Sequence, residues 1–538
     1  MQGQPNRAAG AHGQNDARKA HRDRAKRAWT KRAEWNKIFI EAYQYVAPHR
    51  RSTRYAKVSP GAKAIHIFDN TAPTAWMRAA GKLQQDLFPP GEPFATLEPG
   101  PLVSKLGLDE DDARRELQAI ATQCDPVFLD GDWDLAVHEC LLDMFISTGF
   151  ILTLAGDFAH KLVQFVNVSL DEMAVDSGPF GRLEGFFWKS KWTRRALYEA
   201  YPRGTFSQTF LDELEADGEK QIEVSYDTVY DAKSRHWRTC IYIADEDEAD
   251  IWSEEDLECP WIAPRYFRLP GEDLGFGPVL LNLPGTKTLN KAIELTLKGA
   301  ALAMMGVYTR IDDGVFNPDT ARMEPGAMWP VARNGGPIGP SIMRLPTATD
   351  PNLANLTIQD MRMMLQAGFN DQQLPPDGAS PRSAAEIIER VKRMGQDHAG
   401  AYGRLVHEMV LPVYRRVMEL LWRQGVLKTR VKIDQLLVQA RVVSPLGSAF
   451  KAERAKRYVD FLQVGMAVAP DAVHAVTPVD KGLRAVAHDL QVPAELVYTE
   501  EESQAVQQKM AQAAAQAAAA QQQQQPAPPN GDPAQASS

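Results

Sequence analysis

The sequence predicts an α+β chain, predominantly helical and divided into roughly three or four domains, because 538 residues exceed what one hydrophobic core organises. Long stretches near both ends and in the middle repeat apolar residues every three or four positions, the mark of amphipathic helices. The stretch from about 150 to 270 instead alternates apolar and polar residues, as in FVNVSL, QIEVSYDTVY and TCIYIA. With turn residues between these runs, it predicts antiparallel strands. An apolar fraction of 44% and a charged fraction of 24% are those of a globular protein.

The elements follow in order. Residues 1–21, rich in Gly, Ala, Asn and Gln, predict a disordered, basic start. A helix is expected over 22–47, where Trp29, Ala33, Ile40 and Trp35, Phe39, Tyr43 fall at helical spacing. A second, over about 70–87, ends at the double proline of LFPPGEP, and PFATLEP predicts a short strand. Residues 108–150 read as helical, with Trp133, Val137, Cys140, Leu141 and Met144 in one stripe. A short helix at 194–201 interrupts the strands. From Thr286 the residues Leu289, Ile293, Leu297, Ala300 and Met304 mark another helix, and small residues around Gly299 permit close approach of a neighbour. A Gly/Pro-rich loop over 309–349 gives way at Asp350-Pro351 to a helix running to about Phe369, since Asp caps well and Pro fits a first turn.

Next comes FNDQQLPPDGASPRSAAEIIERV, residues 369–391. Pro375, Pro376 and Pro381 forbid a continuous helix here, and Ser383 with Glu386 forms a capping box that starts the following one. That helix carries Ile387, Val391, Met394, Tyr402, Leu405, Met409, Val413, Val417 and Leu421. Gly400, Gly403 and Pro412 are expected to bend it, and Gly425 to end it. Shorter helices follow to about residue 508, then an Ala/Gln-rich tail that is disordered from Pro526.

Charge and motifs exclude most chemistry. The net charge of −9 disfavours general binding to nucleic acid or anionic membrane. Residues 1–35 are the exception, with nine Lys/Arg against three Asp/Glu. This is either the solvated face of a helix or a docking arm for an acidic partner or nucleic acid. Cys124, Cys140, Cys240 and Cys259 stand far apart without a C-x-x-C pair, which points to idle thiols in a reducing compartment. The start lacks an apolar signal region, and LTLKGAALAMMGVY is too short and too interrupted to span a bilayer, so a soluble protein made in a cytoplasm is expected. LPGTKTLN places Lys287 and Thr288 like a phosphate-binding loop, but Leu281 and Thr286 stand where its glycines belong. The acidic run ADEDEADIWSEED (244–256) lacks the glycine and spacing of a calcium loop and reads as solvated. Asp176, Glu184 and Lys189 have the wrong spacing for a nuclease triad, and no nucleophile elbow or paired-histidine motif occurs. The residues point to a structural or binding protein that is not an enzyme and has no metal site or cofactor.

Several stretches, taken in order, resemble the head-to-tail connecting (portal) protein family of short-tailed, podovirus-type bacteriophages. They are YQYVAPHR with IFDNTAPTAWMRAAGKLQQDLFPPGEPFATLEP; PRYFRLPGEDLGFGPVLLNLPGTKTLN; PRSAAEIIERVKR; GRLVHEMVLPVYRRVMELLWRQGVL; and SPLGSAFKAERAKRYVDFL. The likeness covers roughly residues 22–500, and Ser383 stands where the family's string has threonine. The resemblance implies a subunit with a wing over 22–283 and 382–440, the latter a long helix and its return. A stem of two antiparallel helices (284–308 and 350–369) would carry a clip (309–349). A channel (tunnel) loop (370–381) and a helical crown (441–508) would complete it, followed by the low-complexity tail 509–538.

Function follows as an implication of that resemblance. Such subunits form a ring, usually of twelve, at one capsid vertex, in a virion assembled in the host cytoplasm. Double-stranded DNA passes through it during packaging and ejection, driven by the separate terminase large subunit, which tail adaptor proteins later replace. Major capsid and scaffold proteins would be further partners, and no membrane is involved. Asn370, Asp371, Gln372, Gln373, Leu374, Asp377 and Gly378 would line the channel loop, touching DNA without gripping it. Lys287, Lys291 and Lys298 are the stem residues expected at the channel. An acidic ring suits a conduit through which duplex must slide, because each neutralised phosphate adds affinity. The alternative reading is an internal core or scaffold-type virion structural protein.

Overall fold

In the computed structural model, the described residues are 7–50, 67–310, 342–344, 351–369 and 403–492. Short gaps fall at 108–109, 130–131, 157–160, 245–249, 306–307, 432, 435, 443–444, 469–476, 478 and 490–491, and isolated positions are described beyond 492. The elements begin with α1 (Arg7–Tyr45), α2 (Thr71–Leu87), β1 (Ala95–Pro99), α3 (Glu110–Leu129) and α4 (Asp132–Ile146). Strands β2 (Ile151–Ala155), β3 (Val163–Asn167), β4 (Met173–Ser177) and β5 (Leu183–Thr193) follow, then α5 (Arg194–Ala200) and α6 (Gln208–Ala216). Next are β6 (Gln221–Asp231), β7 (His236–Ile243), β8 (Trp252–Asp256), β9 (Trp261–Ile262), β10 (Phe267–Arg268) and β11 (Gly275–Phe276). The remainder is α7 (Pro278–Met305), β12 (Tyr308–Arg310), β13 (Ile342–Arg344), α8 (Pro351–Gly368), α9 (Leu411–Arg423), β14 (Val438–Val442), α10 (Pro445–Val468) and α11 (Val479–Asp489).

Two units divide the chain: Met1–Glu92 with Val127–Lys428, and Pro93–Pro126 with Thr429–Ser538. In the first, β4-β5-β6-β7-β8 form one antiparallel sheet and β3-β2-β9 another. The middle of this sheet is buried on both faces, in unbroken runs at 224–228 and 239–243. Trp237, Tyr242 and Ile243 are buried, and Thr228 and Thr239, directly opposed, share a hydroxyl hydrogen bond at 3.0 Å. The stripe expected on α4 is confirmed. Trp133, Val137, Cys140, Leu141 and Met144 are all buried, and Trp133 meets Phe88, Phe128 and Phe165 edge to face.

The amino-terminal helix differs from its expectation. Disorder was expected over 1–21, yet α1 begins at Arg7, because its Ala, Arg and Gln content favours helix over the cost of Gly10 and Gly13. Part of its basic charge is taken up within the chain. Arg24 reaches Asp176 at 2.6 Å, Arg18 and Arg22 reach Asp250 at 3.5 and 3.6 Å, and Lys31 reaches Asp273 at 3.3 Å. These pairs tie the helix to the chain's own sheet region, while Lys26 and Arg27 stay exposed. Apolar contact there is slight, with Ala25 and Ala28 on Ala174 and Phe187, whereas Phe39, Ala42, Tyr43 and Val46 bury the helix's other end.

The acidic run over 244–256 is also corrected. Residues 252–256 form β8, Asp250 pairs with α1, and Asp256 is 2% exposed. A carboxylate so buried needs charged partners, and Arg416 and Arg423 of α9 supply them at 2.8 and 2.6 Å. Glu419, also on α9, accepts the amides of Leu257 and Glu258 at 3.0 Å each and binds Arg416 and Arg423. A π-helical turn at Val406–Val410 precedes α9, where Pro412 cannot donate to the helix ladder. Its Glu408 clamps Arg265 at 2.7 and 3.3 Å. The expected stop at Gly425 is present, with φ of 78° and the Val426 amide donating back to Leu421.

In the second unit β1 pairs antiparallel with β14, and Glu98 bridges Arg441 at 2.9 Å. The carboxylate of Asp434 accepts the amides of Leu436, Leu437 and Val438, which holds it below the usual carboxylate range. Helices α10 and α11 pack together, with Tyr458 lying against Gly482.

Candidate functional site

Helices α7 and α8 form the two-helix element that the sequence singled out. Leu289 and Ile293 on one, and Ile358 and Leu365 on the other, are buried in a shared seam flanked by Met361. Asn282 lies against Gly368, and Gly285 against Leu365, so numbers rise along one helix as they fall along the other. The pair is antiparallel. Gly368 matters here because a Cβ would run into the Asn282 side chain.

Helix α7 starts at Pro278, ahead of the expected start at 284, and continues through Pro284. Side chains supply hydrogen bonds around that proline: Asn282 Nδ2 donates to Pro278 O, Thr286 Oγ1 to Asn282 O, and Thr288 Oγ1 to Pro284 O, at 2.9, 2.9 and 3.0 Å. The expected stripe also shifts, because Leu297 is 54% exposed while Leu289 and Ile293 are buried.

Both helices are tied to the segment that begins α2. Arg362 of α8 donates twice to Asp69 Oδ2, at 2.9 and 2.7 Å, while Asp69 Oδ1 accepts the Thr71 amide. Asn290 of α7 accepts the Phe68 amide at 2.7 Å. The start of α2 thereby fixes the helix pair by hydrogen bonds that spacing in the sequence does not announce.

Lys287, Lys291 and Lys298 lie on the face of α7 turned away from α8, since spacings of four and seven residues return a helix to the same side. Each has a carboxylate. Lys287 binds Glu41 of α1 at 2.8 Å, and Glu294 takes Lys291 at 3.0 Å and Lys298 at 2.6 Å. Hydrogen bonds from Lys298 and Lys291 hold the Glu294 carboxyl below its usual range, and the hydrogen bond to Glu41 raises Lys287. With Glu41 of α1, three cations here meet two anions, a nearly balanced ladder.

On α8 the face away from the seam carries large apolar side chains around the exposed Asp360. Leu356 and Met363, seven residues apart, are 61% and 60% exposed, and the neighbouring Met364 is 72% exposed. Leu281 and Leu295, about four turns apart on α7, are also exposed. These residues were missed in the sequence, where they read like any core position of an amphipathic helix. Asn370, Asp371, Gln372, Gln373, Leu374, Asp377 and Gly378 of the expected channel loop, and the Ser383–Glu386 cap, lie outside the described residues.

Catalytic readings find no support in the side chains that sequence spacing raised. Asp176 is bound by Arg24, while Lys189 pairs with Glu223 at 3.5 Å and sits over the Trp29 ring. Glu184 lies 4.0 Å from the same Arg24. Burial pushes the thiols of Cys124 and Cys259 up to about 12 and that of Cys240 up to about 11, which removes the thiolate that reactivity needs. Among the described residues no group of three or more His, Cys, Asp or Glu could hold a metal ion, and no helix is long and apolar enough to cross a membrane.

Comparison with known proteins places the chain. No curated protein shows significant similarity to it. Among solved structures, a chain from the virion of a native gene transfer agent particle is similar at 12% identity and a TM-score of 0.32. Another, from the neck of an empty gene transfer agent particle computed with C6 symmetry, is similar at 12% identity and a TM-score of 0.35. Each alignment covers 76% of this chain and 88% of the other. The family model described as bacteriophage head to tail connecting protein matches residues 18–497, nearly the whole sequence, and the chain belongs to that family.

Proposed function

We propose that the chain is the subunit of a portal ring at one capsid vertex, through which viral double-stranded DNA is packaged and later ejected. The observation that carries this reading is the α7–α8 pair, taken as the stem. Its own seam is already filled by Leu289, Ile293, Ile358 and Leu365, yet Leu356, Met363 and Met364 remain outside it and exposed. Large apolar side chains in such a cluster mark an interface, and equivalent stems arranged side by side would cover them. The closed rotational symmetry of a ring uses the same heterologous contact at every step. The balanced ladder of Lys287, Lys291, Lys298, Glu41 and Glu294 suits a surface along which phosphates slide, since unpaired lysines would add salt-dependent grip.

In this reading residues 370–381 supply the channel loop, 309–349 the clip at which terminase and then tail adaptors dock, and 441–508 the crown. Capsid and scaffold proteins surround the wing, and the ring has about twelve members, as in phages of the short-tailed type. Electron microscopy of the purified chain tests it directly. Rings with a central opening wide enough for duplex are expected, and compact monomers at high concentration would sink the proposal. Deleting residues 371–379 should impair DNA packaging or retention while rings still form. Distribution through the head interior instead of one vertex would favour a core or scaffold protein.

A further inference from the structure

Helix α1 and the β6–β7 hairpin line a cavity of about 390 Å³ whose walls are cationic, in a chain of net charge −9. Arg18, Arg22 and Arg24 reach it from the helix, and Lys233 and Arg238 from the hairpin. Asp231 and Asp250 also line it, but both are occupied. Asp231 accepts the Lys233 amide at 3.0 Å and the Ser234 hydroxyl at 2.9 Å, and these bonds hold it below the usual carboxylate range. Asp250 takes Arg18 and Arg22.

Among the described residues the charge left over lies on Lys233 and Arg238, because Arg18, Arg22 and Arg24 are all ion-paired. The side chains of Lys233 and Arg238 make no ion pair among the described residues. Arg22 is held with its guanidinium 4.5 Å from the centre of the Tyr242 ring, which fixes its position. The Tyr242 hydroxyl turns away to donate to Asp227 at 2.6 Å, so its ring and Val229 form an apolar back wall. A cleft with an apolar floor and converging cationic groups selects a compact anion with several acceptor oxygens, and guanidinium groups match phosphate in fork geometry.

We propose that this cavity binds a phosphate group, recruited by Lys233 and Arg238 and seated against Arg22. The phosphate can come from a small molecule or from the end of a nucleic acid strand. Calorimetric titration of the full chain separates these. Pyrophosphate is one ligand, and a 5′-phosphorylated oligonucleotide of about five bases, short enough to span a single site, is the other. Binding of pyrophosphate with Kd below about 1 mM is expected, weakened at least about tenfold by the double substitution Lys233→Gln/Arg238→Gln. Lys26→Gln/Arg27→Gln removes the same charge from the solvent face of α1 and should leave binding unchanged. Added sodium chloride of equal ionic strength should not mimic the ligand. Competition by the oligonucleotide assigns the site to nucleic acid ends, and its absence assigns it to small phosphates. No binding up to about 10 mM, or equal affinity in both double variants, would overturn the proposal. Ring formation in the same samples reports separately on the portal reading, which the cavity does not touch.

Discussion

Replacing Leu356 and Met363 together with serine removes the apolar outer face of α8 without disturbing its seam. Both side chains are about three-fifths exposed, at 61% and 60%. Complete burial of such a side chain is worth about 1.5–3 kcal/mol, so covering the exposed part contributes about 1–2 kcal/mol each and about 2–4 kcal/mol per subunit contact. At about 1.4 kcal/mol per factor of ten, the double variant weakens each contact by roughly thirtyfold to several hundredfold. Subunit stability should change by no more than about 0.5 kcal/mol, since both positions are on the surface. Sedimentation velocity over a concentration series reads the ring-to-subunit ratio, and circular dichroism confirms that the helices persist. Ile293→Ala provides the contrast, because it cuts the buried seam and should cost stability of the subunit itself, about 2–5 kcal/mol. A ring population unchanged in the folded double variant would refute the assignment of this face to subunit contact.

Three further outcomes follow from the first unit. His21 and Asp227 face one another at 3.7 Å among Arg22, Arg238 and Asp250, and burial pushes Asp227 up to about 7 and His21 down to about 4. Folded Asp227 keeps a proton that the unfolded chain releases, so its contribution falls as pH rises from about 4 to 7. Folded His21 refuses a proton that the unfolded chain takes below 6.5, so its contribution falls as pH drops from 6.5 to about 4. The slopes offset each other in the parent; relative to it, melting temperature should decline with rising pH in His21→Asn and increase with pH in Asp227→Asn. Parallel profiles in all three proteins would contradict this. Glu419→Ala leaves two amides without their acceptor and Asp256 as the remaining carboxylate for Arg416 and Arg423, and should cost about 2–5 kcal/mol in urea denaturation, with a loss under about 1 kcal/mol counting against the buried network. Gly425→Ala meets no atom within 4 Å, so only its φ of 78° resists the side chain, and a loss near 1 kcal/mol is expected by the same assay.

The helices and strands were legible where one face meets the interior. Trp133 to Met144 and Leu405 through Leu421 declared themselves because burial imposes a helical period on the sequence, whereas β6 and β7, buried in unbroken runs, were marked by strand-forming residues between turns. The expected start of α7, at 284, is too late because the apolar period that marks the helix begins only near Thr286, whereas the helix already runs from Pro278. The acidic run misled for a long-range reason: Asp256 finds Arg416 some 160 residues later, and nothing local reveals a partner at that distance. The outer face of α8 was hidden differently. Leu356 and Leu365 look alike in a periodic string, and only the packed pair shows which of them already has a neighbour.

The small ladder of β12 and β13 has a consequence for how this chain can change. Tyr308 faces Arg344, Thr309 faces Met343, and Arg310 faces Ile342, so the chain leaves α7 and returns toward α8 through adjoining backbone. Whatever is threaded between 310 and 342 is clasped at its neck. Lengthening a clasped loop is cheap, because doubling its length adds only about 0.6 kcal/mol of closure entropy. A reporter domain could be inserted between 310 and 342, and natural insertions accommodated, while the two helices keep their register.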